Sequence, residues 1–222
     1  MLQWLKLKAE PVNAVIRHFD SIAAPAATTP VQDVPFLVLD LETTGLDAKK
    51  DYIVSIGWVV VIHQEIQLSQ ARHYLIAAPV SVGQSAVFHG LHDKDLRQAR
   101  DLAEVLTELL TEYAGYYFVA HHAQLEQGFL QVACQRCFGK TAKIKFLDTL
   151  KMEWQRLHQQ GKVVKTDALR LHACLQRHHL PASQQHHALA DAYSCALLLL
   201  SQIKQSQDHL LRLEDLLYLS RG

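Results

Sequence analysis

Residues 36–46, Phe-Leu-Val-Leu-Asp-Leu-Glu-Thr-Thr-Gly-Leu, admit few structures. Phe36 to Leu39 form an apolar run behind Pro35 that ends on two acids and a glycine turn, the pattern of a strand buried on both faces. Asp40 and Glu42 are two residues apart, so on a strand their carboxylates leave the same face. Like charges side by side at the end of a buried strand are costly unless something positive joins them. A divalent cation with oxygen ligands is the simplest such group. A solvated strand end with ordinary surface acids accounts for this window as well.

The length of 222 residues suits one large α/β domain, which buries roughly 70% of its unfolded surface. Lys plus Arg balances Asp plus Glu, so long-range attraction to nucleic acid is not built in globally. Charge is uneven, however: Arg136 to Arg170 holds nine basic residues against three acids. That excess is either a phosphate-tracking surface or a solvated helix face. Cys134 and Cys137 have C-x-x-C spacing without a second pair, in a stretch that reads as helix. Buried reduced thiols fit this better than zinc and suit a cytoplasmic location. We read no signal peptide, and no apolar stretch reaches bilayer length, so no membrane association is expected.

Apolar residues recur at near-helical spacing from Leu2 to Phe19, and an Ala/Thr/Pro-rich linker follows from Ser21 to Val34. Residues 1–34 thus read as a helical appendage and linker, 35–205 as the main domain and 206–222 as a C-terminal helix. Either end could mediate a homodimer or dock on its own domain. Tyr52–Ile62 and Ile66–Ala77 read as an antiparallel hairpin. A helical period runs from Leu96 to Leu110, followed by a strand at Tyr116–Ala120 and a helix over His122–Phe138. Ile144–Leu147 is a short strand that closes at Asp148. Asp167 reads as a helix cap, Pro181 as the end of that helix, and His186–Ile203 as a buried helix.

Two further stretches offer acids to Asp40 and Glu42: Val119 to Glu126, and His186 to Ala192. Asp191 sits on an apolar stripe with Ala188, Leu189 and Ala192, where an unpaired charge is expensive. His186 lies five residues earlier, so the two share a site only if His186 is at the helix N-terminal end.

The order Asp40-x-Glu42-Thr43-Thr44-Gly45-Leu46, His89-Gly90, Ala120-His121, Asp148-Thr149-Leu150 and His186-x-Ala188-Leu189-x-Asp191-Ala192 resembles the DEDDh family of 3′–5′ exonucleases. That family includes the proofreading subunit of a bacterial replicative polymerase and ribonuclease T. The resemblance covers roughly Val34 to Ile203. It implies an α/β, ribonuclease H-like fold with a mixed five-stranded sheet flanked by helices. The implied activity is hydrolysis of single-stranded 3′ ends, DNA favoured, to nucleoside 5′-monophosphates. Two Mg²⁺ or Mn²⁺ ions would be bound by Asp40, Glu42, Asp191 and Glu126, with His186 as general base. Thr43, Thr44, Gly45, Leu46, His89, His121 and His122 would contact the terminal nucleotide. A DNA polymerase and a second copy of the chain are the protein partners this reading allows.

The sequence departs from the family pattern His-Asn-Ala-x-Phe-Asp, reading His121-His122-Ala123-Gln124-Leu125-Glu126. Glutamate keeps the carboxylate but moves its oxygens by about 1.5 Å, one covalent bond. A slower or Mn²⁺-preferring enzyme is expected. A catalytically weakened nucleic-acid-binding or polymerase-associated module, and another phosphate-chemistry enzyme on the same fold, stay open as alternatives.

Overall fold

A computed structural model describes residues 13–79, 99–181, 187–206 and 211–221. One five-stranded sheet organises them: β1 (Phe36–Thr43), β2 (Ile53–Ile62), β3 (Glu65–Leu75), β4 (Tyr117–Ala120) and β5 (Phe146–Asp148), in the order β3-β2-β1-β4-β5. β1 is antiparallel to β2 and parallel to β4, β2 is antiparallel to β3, and β4 is parallel to β5. The expected mixed sheet and the hairpin at 63–64 are both present. His63 and Gln64 carry the positive φ angles (51° and 60°) that a two-residue hairpin turn requires.

Helices cover both faces. We number them α1 (Ala14–Ser21), α2 (Leu102–Glu112), α3 (Ala123–Phe138), α4 (Thr149–Gln159), α5 (Leu171–Arg177), α6 (Ala188–Gln205) and α7 (Leu213–Leu219). Alternation along β1 sorts the core into two clusters. Leu37, Leu39 and Leu41 pack with Ile16 and Phe19 of α1, Val105, Leu106, Leu109 and Leu110 of α2, and Phe129 and Leu130 of α3. Phe36 and Val38 pack with Met152 of α4, Cys195, Ala196 and Leu199 of α6, and Leu213 and Leu216 of α7. Asp40 and Glu42 continue the second set, so they emerge on the α6 side, just past its apolar layer.

Several local expectations need correction. Asp167 caps no α-helix. It lies in a 3-10 turn, Thr166–Leu169, and pairs with Arg170 at 2.9 Å. The following helix ends at Arg177, ahead of Pro181, where His179 turns the chain at φ 54°. The stretch read as a linker is packed: Val31 and Val34 are buried, the Val31 N–H donates to the Leu211 carbonyl at 2.9 Å, and the Glu214 N–H to that of Ala27 at 2.8 Å. Ala, Thr and Pro signal irregular backbone, and irregular backbone is here locked by strand-like bonds to the α7 approach. α1 and α7 bury their apolar faces on the chain's own body. The four cysteines are free thiols, and burial pushes that of Cys134 up to about 12. Among the described residues no helix is long and apolar enough to cross a membrane.

Candidate active site and metal centre

The C-terminal end of β1 is shaped by a register shift. Asp40 opposes Gly57 and Glu42 opposes Ser55, but Thr43 opposes Ile53, so the ladder slips immediately after the second acid. Such a bulge bends the strand and re-aims side chains. The turn beyond it is tied internally. Thr43 Oγ1 donates to the Gly45 carbonyl at 2.6 Å, Thr44 Oγ1 accepts from the Tyr52 N–H at 3.0 Å, and the Asp51 carboxylate accepts from the Asp47 N–H at 2.9 Å. A side chain at Gly45 would place its Cβ 2.5 Å from Asp51 Oδ2, which accounts for the glycine. Leu46 projects from this turn 80% exposed, a large apolar side chain open to solvent.

The third acid arrives on α6. Its first turn lies directly on β2: a Cβ at Gly57 would meet the Leu189 backbone nitrogen at 2.2 Å. Only glycine lets a helix backbone approach a strand so closely. That approach delivers Asp191 to β1. Ligand oxygens of Asp40, Glu42 and Asp191 all lie within 4.8 Å of one another. Burial, then the charges of Glu126, Glu42 and Asp191, raise the Asp40 pKa well above the usual carboxylate range. Burial and Asp191 push Glu42 up to about 7.

The fourth acid comes from α3. His122, between β4 and α3, adopts the left-handed conformation with φ 81°. Its N–H donates to Asp148 Oδ1 at 3.0 Å, an oxygen that also accepts from the Leu150 N–H at 3.0 Å. The Asp148 N–H donates in turn to Ser220 Oγ at 2.8 Å, just beyond α7. Asparagine and histidine are among the few side chains that tolerate positive φ, so the histidine found where the family pattern has asparagine keeps this turn. Glu126 follows in the first turn of α3, 4% exposed, and its Oε2 has no hydrogen-bond partner among the described residues. Burial, reinforced by Asp148, pushes its carboxyl up to about 8.

Asp40, Glu42 and Glu126 all have raised pKa values, and Glu126 adds a buried oxygen without a hydrogen-bond partner among the described residues, the signature of acids suited to charge from outside. All the donors are hard oxygens, which suits Mg²⁺, Mn²⁺ or Ca²⁺ rather than a thiolate-seeking metal.

The histidines divide. His121 uses both ring nitrogens within the protein, 2.9 Å from Thr149 Oγ1 and 2.7 Å from the Leu169 carbonyl, and burial lowers its pKa. His122 is exposed at the turn. His187 caps α6 through its ring, which accepts from the Ala190 N–H at 3.4 Å, and it lies against His73 with centroids 4.4 Å apart and ring planes tilted by 35°. His186 and His89 lie outside the described residues.

Ser55 and His73 were not anticipated. Ser55 is buried opposite Glu42, and its hydroxyl lies 2.8 Å from His73 Nε2. Burial, then His187, lowers the His73 pKa. A serine within the apolar run Ile53–Ile62 was the available signal.

Comparison with known proteins agrees with this geometry. The family model described as exonuclease (RNase_T) matches residues 37–199, from β1 to the body of α6. The chain belongs to this exonuclease family. A DNA polymerase III of PolC type from Thermotoga maritima is 30% identical over 161 residues, 72% of this chain. A 3′-5′ exonuclease DinG from Staphylococcus haemolyticus is 28% identical over 189 residues, 84% of it. The chain spans only 11% and 20% of the lengths of those relatives. Among solved structures, exonuclease X in complex with 5′ overhanging duplex DNA superposes with a TM-score of 0.60 at 20% identity, covering 82% of this chain and 98% of that one. E. coli exonuclease I in complex with a dA16 oligonucleotide gives 0.67 at 14% identity, covering 86% and 44%. These likenesses establish the ribonuclease H-like fold.

Proposed function

We propose that this exonuclease-family domain removes nucleotides from the 3′ end of single-stranded nucleic acid, DNA favoured, and releases nucleoside 5′-monophosphates. The observation that carries this reading is the convergence of Asp40, Glu42 and Asp191, from β1 and α6, within 4.8 Å. The 3′-5′ exonuclease DinG relative supports the direction of hydrolysis.

Two Mg²⁺ or Mn²⁺ ions, when bound, supply the positive charge that stabilises the attacking and leaving oxygens of the phosphodiester. Asp40 is flanked by the other three acids and is suited to hold both ions. Glu42 and Asp191 would hold the ions with it, and Glu126 Oε2, without a hydrogen-bond partner among the described residues, would be a further ligand. His186, five residues before Asp191, accepts the proton of the attacking water. That assignment rests on the motif and on a side chain that titrates near neutrality. Leu46 offers an exposed apolar surface to the terminal base, and the backbone of Thr43 to Gly45 faces its sugar. The PolC-type relatives make a DNA polymerase the proposed partner.

The test uses two oligonucleotides, one labelled at each end, with Mg²⁺, Mn²⁺ or EDTA. Metal-dependent loss of the 3′ label as mononucleotide, with a shrinking 5′-labelled ladder, is the expected result. Release of the 5′ label first, or no shortening with either metal, would reject the reading. The longer Glu126 favours one variant of it, a domain that binds strands and cuts them slowly. It predicts tight binding with turnover far better in Mn²⁺ than in Mg²⁺.

A further inference from the structure

The acid cluster does not explain the outer face of α4 or the loop that follows. Met152, Glu153 and Leu157 turn inward, and helical spacing leaves Lys151, Trp154 and His158 together on the opposite side. Trp154 and His158 form a flat stack there, with ring centroids 5.0 Å apart and planes within 6°. Beyond the helix the loop adds Lys162 and Lys165, both exposed. No ion pair among the described residues engages Lys151, Lys162 or Lys165.

Both ends of this surface tie to the His121–His122 turn that starts α3, the helix carrying Glu126. α4 starts at Thr149, immediately after the Asp148 carboxylate that holds the His122 turn. The loop returns to Leu169, whose carbonyl lies 2.7 Å from His121 Nε2. It is braced from below: Arg177 donates to the Ala168 carbonyl and to buried Glu153, each at 2.6 Å. The helix of 11 residues is about 16 Å long, room for a few nucleotides. A firmly held strip with an aromatic face and unneutralised lysines is the combination that holds single strands without reading sequence.

We propose that this strip is the track for the single strand upstream of the scissile nucleotide, with bases against the Trp154–His158 stack and phosphates on Lys151, Lys162 and Lys165. The inference deepens the nuclease reading and rests on it for the direction of the strand. Strand binding itself can be measured without catalysis.

The probe is a 5′-fluorescein dT16 oligonucleotide, followed by anisotropy in EDTA across a salt series. Trp154→Ala is expected to weaken binding about tenfold, and Trp154→Phe to restore most of it. Lys162→Gln with Lys165→Gln, both on the surface and harmless to folding, should flatten the log–log salt slope by about 1.4, two single-strand phosphate contacts. In turnover the same variants should raise KM with kcat held, with a loss that fades as the substrate is shortened towards a dinucleotide. Unchanged affinity and unchanged salt slope in all three variants would overturn the track, even if the wild type trims 3′ ends. A wild type that binds dT16 with these defects yet never trims it would uphold the track and reject the nuclease reading.

Discussion

Glu126 and Glu153 are both helix-borne glutamates with almost no exposure, 4% and 0%, and the chain holds them in opposite ways. Burial alone would raise the Glu153 pKa, but contacts with His178 (2.9 Å), Arg156 (2.6 Å) and Arg177 (2.6 Å) pull it well below the usual range. Glu126 has no ion-pair partner among the described residues, and burial with the charge of Asp148 pushes it up to about 8. Asp40 and Glu42 share its fate. A buried acid with protein cations around it is finished structure, tying α4 to α5. Asp40, Glu42 and Glu126, raised by burial and by neighbouring carboxylates, are instead suited to charge from outside, and their repulsion is a standing cost in the metal-free protein.

The largest expected effect tests that division directly. Asp40→Asn or Asp191→Asn should lower kcat/KM on a single-stranded oligonucleotide about 10³-fold, the loss of several kcal/mol of charge stabilisation. Without metal, both variants should melt above the wild type by calorimetry. Melting below it would mean that the acids are already neutralised internally.

Next in size is Glu153→Gln, which strands two guanidinium groups. A loss of about 3 kcal/mol would lower Tm by about 6–12 °C, and added Mn²⁺ would still stabilise the variant as it does the wild type. Gly57→Ala follows. Its Cβ would strike the first turn of α6, so a cost of about 2 kcal/mol should come with roughly tenfold weaker Mn²⁺ binding by titration calorimetry. Equal Mn²⁺ affinity would separate α6 docking from Asp191 placement.

The two regions also predict opposite pH trends. In the metal-free protein Glu42 and Glu126 bind protons more tightly folded than unfolded. Stability therefore falls as pH rises from about 4.5 through 7 and 8, by at most about 1.4 kcal/mol per pH unit for each group. Glu153 has a lowered folded pKa, so its contribution is present above about pH 4.5, its ordinary value, and is lost as pH falls towards the depressed one. Saturating Mn²⁺, which needs ionised carboxylates, should remove or reverse the decline above pH 5. Melting curves at pH 3, 5, 6.5 and 8, with and without Mn²⁺, check all three signs.

The smallest change is Glu126→Asp. If the extra methylene sets the metal preference, this variant should shift the Mn²⁺/Mg²⁺ rate ratio several-fold towards Mg²⁺. An unchanged rate and ratio would mean that position 126 tolerates either length.

β1 was readable because its evidence is local: an apolar run, a period of two, and acids at its end. α6 was readable from its spacing, and the start observed at Ala188 leaves His187 as the cap. The packed segment 27–34 was not readable. Its hydrogen bonds go to residues about 180 positions away, and turn-forming composition says nothing of distant partners. Ser55 and His73 were missed for a related reason: they meet across the β2–β3 ladder, and neither stands in a motif. Glu153 was read only as one of three acids in a basic stretch, because its partners are spread over 25 residues and two helices.

The order of the residues determined the kinds of parts: a buried strand ending in two carboxylates, a glycine turn, a helix bearing a third acid and a glutamate where an aspartate is customary. Period and composition act over a few neighbours, so they carry that much. Which carboxylates meet was decided by packing. α6 rests on the bare backbone of Gly57, and the left-handed His122, held by Asp148, starts the helix that carries Glu126. Charge repulsion opposes such a gathering, and the burial of the two apolar layers around the sheet holds Asp40, Glu42 and Asp191 within 4.8 Å of one another all the same.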